Sequence, residues 1–141
     1  MPSITYDDLE AALTWVSGSM QSDNAAYISK VTGRIFYAST SYDSDPELPS
    51  DCENEALYWS VPHKNELNLG RALAFRFVDE RMPDQRDRVQ DLFRKSGAYE
   101  RYKDLLIRAY MLDEWFVYER QAIERTLTEW AKEQGIAIVP M

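Results

Sequence analysis

A chain of 141 residues with a net charge of −8, 45% hydrophobic and 28% charged residues has the length and mix of one globular domain. One cysteine, Cys52, excludes an internal disulfide, and no apolar run reaches the length of a membrane span, so a cytoplasmic protein with no membrane partner is expected. All of the excess negative charge lies in residues 1–62, which hold ten acidic side chains against Lys30 and Arg34, and this argues against nonspecific nucleic-acid binding.

The opening Met-Pro-Ser-Ile-Thr-Tyr-Asp-Asp has neither a basic start nor an apolar run, so no signal peptide is expected there. A first helix is expected over Tyr6–Ser17. Thr5 is placed to cap it, with Asp8 three residues on, and Leu9, Ala12, Leu13 and Val16 recur on one face. Gly18 and the polar residues 19–24 end it. Residues 26–28 and 35–38 are rich in β-branched and aromatic side chains, and Thr32-Gly33 between them is a turn pair, so they should form a hairpin. Residues 39–55, full of Ser, Asp, Glu and Pro, read as an acidic exposed loop. Leu57–Val61 resumes as a third strand.

After Pro62 a helix is expected over Leu69–Met82, capped by Asn68. Its apolar residues form two stripes: Leu69, Leu73 and Phe77, then Phe75, Val78 and Met82. A face that wide marks a central helix lying against two neighbours. Pro83-Asp84 opens the next helix, which buries Val89, Leu92 and Phe93 and runs to Lys95, before Gly97. Another spans Ala98–Ala109, with Tyr99, Tyr102, Leu106 and Ala109 inward. The last, Asp113–Gln134, carries Trp115, Tyr118 and Ala122 beside Phe116, Ile123, Leu127 and Trp130, and Gly135 stops it. Ile136–Val139 reads as an edge strand. The expected class is α+β: one helix, a small antiparallel sheet of a hairpin plus one strand, and four C-terminal helices packed on it, in a single domain 1–141.

Histidine and cysteine chemistry has little to work with. His63 is the only histidine, and Cys52 lies eleven residues before it in an acidic loop, so neither a zinc site nor a nucleophile–base pair is expected. No Gly-x-Ser-x-Gly, P-loop or dinucleotide fingerprint is present, and no cofactor or metal is expected. Twenty-four acidic residues leave carboxylate catalysis open, but no spacing marks a pair.

Two segments stand out. Residues 62–71 join a strand end to a helix N-terminus, where backbone N–H groups attract anions; His63, Lys64 and Arg71 are the candidate ligand-binding residues, against the plainer reading of an ordinary strand-to-helix connection. Residues 86–108 hold seven basic side chains (Arg86, Arg88, Arg94, Lys95, Arg101, Lys103, Arg108) and four acids. Arg86, Arg94, Arg101 and Lys103 are the candidate interaction surface. Asp84–Arg88, Asp91–Lys95 and Asp104–Arg108 stand at i,i+4 in the favourable order and are expected to neutralise much of that charge locally. The interleaved aromatics fall on the buried stripe, so stacking on nucleic-acid bases is the weaker alternative. An acidic partner, or the protein's own acidic loop, fits the segment better.

Gly97-Ala98-Tyr99-Glu100-Arg101-Tyr102-Lys103-Asp104-Leu105-Leu106, followed by Trp115 and Tyr118, resembles the most recognisable stretch of the uncharacterised bacterial protein family numbered 0158. Val61-Pro62-His63-Lys64, Leu69-Gly70-Arg71, Phe77-Val78 and the hairpin around Thr32-Gly33 are similar to it as well. The resemblance implies a bacterial cytoplasmic domain and carries no activity. The expected function is a non-catalytic protein-interaction or regulatory module. A nucleic-acid-associated protein using 86–108, and an anion-binding protein or enzyme at 62–71, are the alternatives; oligomeric state is open.

Overall fold

In the computed structural model, which describes residues 2–18, 23–40 and 43–139, the chain runs β1 (Ser3–Thr5), α1 (Tyr6–Ser17), β2 (Asn24–Ser29), β3 (Ile35–Ser39), β4 (Tyr58–Ser60), α2 (Arg71–Arg81), a 3-10 turn (Pro83–Gln85), α3 (Arg86–Leu92), α4 (Ala98–Arg108), α5 (Leu112–Gln134) and β5 (Ala137–Val139). The class is α+β with the helices mostly C-terminal, as the sequence implies. Part of the expected break after the first helix, at 19–22, lies outside the described residues, as do 41–42 of the acidic loop. The chain divides into two compact units: Met1–Leu67 with Thr126–Met141, and Asn68–Arg125.

In the first unit, Thr5 Oγ1 accepts from the Asp8 N–H at 3.2 Å, so the expected cap forms. Leu9, Ala12, Leu13 and Val16 are all buried. The three-stranded sheet has the order β3-β2-β4, both pairings antiparallel, with β2 in the centre. Its alternation places Asn24, Ala26 and Ile28 inward. Asn24 is the one buried polar side chain among the described residues; its amide donates to Trp15 O at 3.0 Å and accepts from Ser39 Oγ at 2.7 Å. The Trp15 indole N–H is in turn shared between Ala25 O (3.0 Å) and Ala38 O (3.2 Å). One polar knot thus ties the end of α1 to two strands, and every buried group in it finds a partner.

Thr32-Gly33 does sit in the hairpin turn, where Gly33 has φ 79° and donates to Ser29 O. A Cβ there would meet Ser3 O at 2.8 Å, so only glycine fits. The loop between β3 and β4 is mostly exposed among its described residues, yet it is tied down at several points. Asp45 donates from its backbone to Tyr37 O at 2.8 Å, Ser44, Leu48 and Cys52 are half-buried, and Glu47 pairs with Arg34. The expected edge strand forms as β5, and it has a partner: β1 pairs with it in parallel, Ile4 opposite Ile138. Gly135 (φ 83°) ends α5 in a Schellman turn, with Ile136 N–H donating to Ala131 O at 2.8 Å and both residues buried.

In the second unit, α2 buries Leu73, Ala74, Phe77 and Val78 completely. Asn68 is not its cap: it adopts φ 57°, and the cap position before Arg71 is Gly70, whose carbonyl accepts from Leu73 and Ala74. The next expected helix is split, because the residues at Pro83 form a 3-10 turn before α3 begins, and α3 ends at Leu92 rather than Lys95. Rings run in a continuous series from the half-buried Phe75 and Phe93 into the interior: Phe75–Phe93 at 5.5 Å between centroids, Phe93–Tyr102 at 5.6 Å, Tyr102–Trp115 at 5.1 Å and Trp115–Phe77 at 5.4 Å, all edge-to-face or tilted.

Gly97 opens α4 at φ 71°, with nothing within 4 Å of where a Cβ would stand. Any cost of a side chain there comes from the backbone alone. Gly97→Val is therefore expected to lose about 1–2 kcal/mol, and Gly97→Asn less. Denaturant melts of the two variants measure this; equal stability in all three proteins would contradict it.

Candidate functional site

His63 and Lys64 lie in the first unit and Arg71 in the second. The turn at 63–66 is occupied by its own groups. His63 Nδ1 accepts from the Asn65 N–H at 3.0 Å, the Lys64 N–H donates to Ser17 Oγ at 3.0 Å, and Glu66 accepts from the His63 N–H at 3.3 Å. A carboxylate thus takes one of the N–H donors that an anion would need. The Arg71 guanidinium lies 5.4 Å from the Phe75 ring centre.

The basic segment is arranged differently from its expected pairing. None of Asp84–Arg88, Asp91–Lys95 and Asp104–Arg108 forms an ion pair within 4 Å among the described residues. Instead Arg94 reaches Asp91, three residues back, at 3.4 Å, and Arg86 pairs with Asp79 while covering the Phe75 ring at 4.7 Å. Helix geometry brings an i,i+4 pair into reach but does not hold it, since two long exposed side chains lose rotamer freedom for a contact worth little in water. Arg101 and Lys103 are exposed on α4 and make no ion pair among the described residues.

What the second unit does build is a cleft of about 390 Å³ lined by Arg81, Met82, Asp84, Gln85, Arg88, Leu105, Arg108, Ala109 and Met111. Arg81 and Arg108 stand in the last turns of α2 and α4, where they also offset the negative ends of the helix dipoles. Arg88 comes from α3. Met82 and Leu105 are buried and form an apolar floor with the half-buried Met111. Arg81 holds Glu114 at 3.2 Å in an exposed pair. The Arg88 and Arg108 side chains make no hydrogen bond or ion pair among the described residues. Asp84 is the only carboxylate in the lining.

A guanidinium presents five N–H donors in a plane that matches a carboxylate or phosphate, and it does not give up its proton. Three of them over an apolar floor can bind and orient an anion that carries an apolar group. The same lining has no hydroxyl, thiol, imidazole or amine, and Asp84 is its one side chain with acid–base or nucleophilic capacity. Arg81 lies before the segment that the sequence singles out, and Arg88 and Arg108 fall within it without being chosen. Their common trait, absence of a local partner, is not visible in sequence.

Beneath the exposed surface of α4, Tyr102 is fully buried, and its hydroxyl has no hydrogen-bond partner among the described residues. Burial holds its ionisation well above the ordinary tyrosine value, reinforced by Tyr99, Glu119 and Tyr118. Tyr99 is pushed up to about 12 by burial and then by Glu119. Both hydroxyls ionise more easily unfolded than folded, so their contribution is intact below pH ~10 and is lost as pH rises toward the folded values. Tyr102→Phe removes a buried group that bonds nothing, and is expected to leave stability at pH 7 unchanged or higher by up to ~1 kcal/mol, while weakening the alkaline loss above pH ~10. Urea melts at both pH values check this. A loss above ~1 kcal/mol at neutral pH would mean the hydroxyl has a partner.

No protein-family model matches the chain, and no curated protein or solved structure matches it. No helix among the described residues is long and apolar enough to cross a membrane.

Proposed function

We propose that this protein is a non-catalytic binding module of the cytoplasm that meets an acidic protein partner through the arginine-lined cleft of residues 68–125. The observation that carries this reading is the pair Arg88 and Arg108, two guanidiniums without partners among the described residues, set with Arg81 over the buried Met82 and Leu105. Charge supports it too. The second unit carries twelve basic and eleven acidic side chains, whereas the first has a net charge of −9. The cleft is thus a local positive feature in an acidic protein, suited to steering a negatively charged segment. Membership in the bacterial family 0158, argued from residues 97–106, belongs to the same proposal and adds no activity to it.

The test is a fluorescence-anisotropy titration with a labelled acidic peptide, Glu-Asp-Leu-Glu-Leu-Asp-Glu, at low and physiological salt, beside a labelled single-stranded oligonucleotide. Saturable, salt-weakened peptide binding is expected. Oligonucleotide binding without peptide binding would overturn the reading in favour of a nucleic-acid ligand, and a flat response to both would remove it.

A further inference from the structure

Tyr110 follows α4 with φ 57°, the left-handed conformation, and its ring is 94% exposed. It occupies the position in a Schellman turn where glycine is usual: its N–H donates to Ile107 O at 3.1 Å, and the Met111 N–H donates to Leu106 O at 2.9 Å. A bulky residue in this conformation is an outlier, and glycine would relieve it. No described residue rewards the tyrosine, because its side chain makes no hydrogen bond or ring contact among the described residues. Its chain neighbours Arg108, Ala109 and Met111 all line the arginine cleft, so the Tyr110 backbone passes along the cleft's margin.

Resting on the binding reading above, we infer that the occupant of the cleft is an acidic peptide segment whose carboxylates flank an apolar side chain, and that Tyr110 is held outward to cover that side chain. A volume of about 390 Å³ is more than a pair of carboxylates fills. The floor of Met82, Leu105 and Met111 needs an apolar group to displace its water, and methionines adapt to the shape of what they receive. A free phosphate or sulfate would satisfy the arginines and leave the floor wet. A tyrosine at the rim adds a large rigid apolar surface with a polar tip, the kind of side chain enriched at the anchors of protein interfaces. Strain kept at an exposed position beside a cleft points to a contact made with a partner.

The test uses the whole chain, the leucine-containing acidic peptide, and the same peptide with both leucines replaced by serine. The serine peptide is expected to bind about tenfold more weakly or worse, the scale of one lost apolar contact. Tyr110→Gly is expected to move two readouts in opposite directions: the melting temperature rises by a few degrees as the backbone relaxes, and affinity for the leucine peptide falls about tenfold. Tyr110→Asn, which tolerates the same conformation, should lose affinity likewise. Equal binding of the two peptides, or unchanged affinity in both Tyr110 variants, overturns this inference while leaving the arginine cleft standing if Arg88→Ala and Arg108→Ala still weaken binding. If those two variants also bind normally, the binding reading itself fails.

Discussion

Replacing Trp115 with alanine is expected to cost about 3–5 kcal/mol, the largest loss of any single substitution in the second unit. Trp115 is 1% exposed and stands within 5.1–6.4 Å, centroid to centroid, of Tyr102, Phe77 and Tyr118. Its removal takes away a large buried apolar surface and one ring from each of three aromatic pairs. These rings cannot refill the space without leaving their own packing, so most of the cavity should persist. Against a total stability of about 5–15 kcal/mol, such a loss leaves a chain that is marginal at best. Trp115→Phe retains an edge for Phe77 and Tyr102 to meet and should lose about half as much or less. Denaturant melts read both variants. A loss below about 1 kcal/mol for the alanine variant would show that the ring series does not hold this unit together.

The second large effect concerns binding. Joint replacement of Arg88 and Arg108 by alanine is expected to weaken the acidic peptide by roughly a hundredfold, since a charge-assisted hydrogen bond contributes about 1.5–3 kcal/mol and two guanidiniums are lost. Stability should fall by less than about 1 kcal/mol, because neither side chain has an ion-pair or hydrogen-bond partner among the described residues and Arg108 gives up only its offset to the α4 dipole. This separation of affinity from stability is the signature of a contact made only with a ligand. Arg86→Ala is the control. Arg86 is engaged with Asp79 and the Phe75 ring and lies outside the cleft, so it should change stability slightly and affinity little. Peptide titration and thermal melts on the three proteins give both quantities.

Much of the architecture was legible because it rests on local rules. Thr5 before Asp8, Gly33 in the hairpin and Gly135 after the last helix each sit where the backbone demands that residue type, and the apolar spacing of Leu9, Ala12, Leu13 and Val16 matches their burial. What escaped was non-local or too short to show a period. The three residues of β1 carry no alternation that could announce a strand, and their parallel partner β5 lies more than a hundred positions away. Asn68 looked like a cap by residue type, yet it supplies a left-handed turn, a role asparagine also tolerates.

The site was legible only in part. Composition drew attention to residues 86–108, and the basic charge is there. Spacing implied that it was neutralised at i,i+4, and the side chains do not pair that way. What separates Arg86 from Arg88 and Arg108 is neighbours distant in sequence: Asp79 engages Arg86, while Leu105 and Met82 form the floor below two arginines that have no ion-pair partner among the described residues. Tyr110 gave no signal at all, because an exposed tyrosine after a helix is unremarkable until its φ is known.

The most direct measurement is a map of backbone-amide and arginine side-chain NMR shifts as the leucine-containing acidic peptide is added to the whole chain. The account predicts that Arg88 and Arg108 side-chain signals move most, with Met82, Leu105, Tyr110 and Met111 amides following to the same end point. Shifts confined to residues 2–67, or spread over every exposed lysine and arginine without saturation, would contradict it.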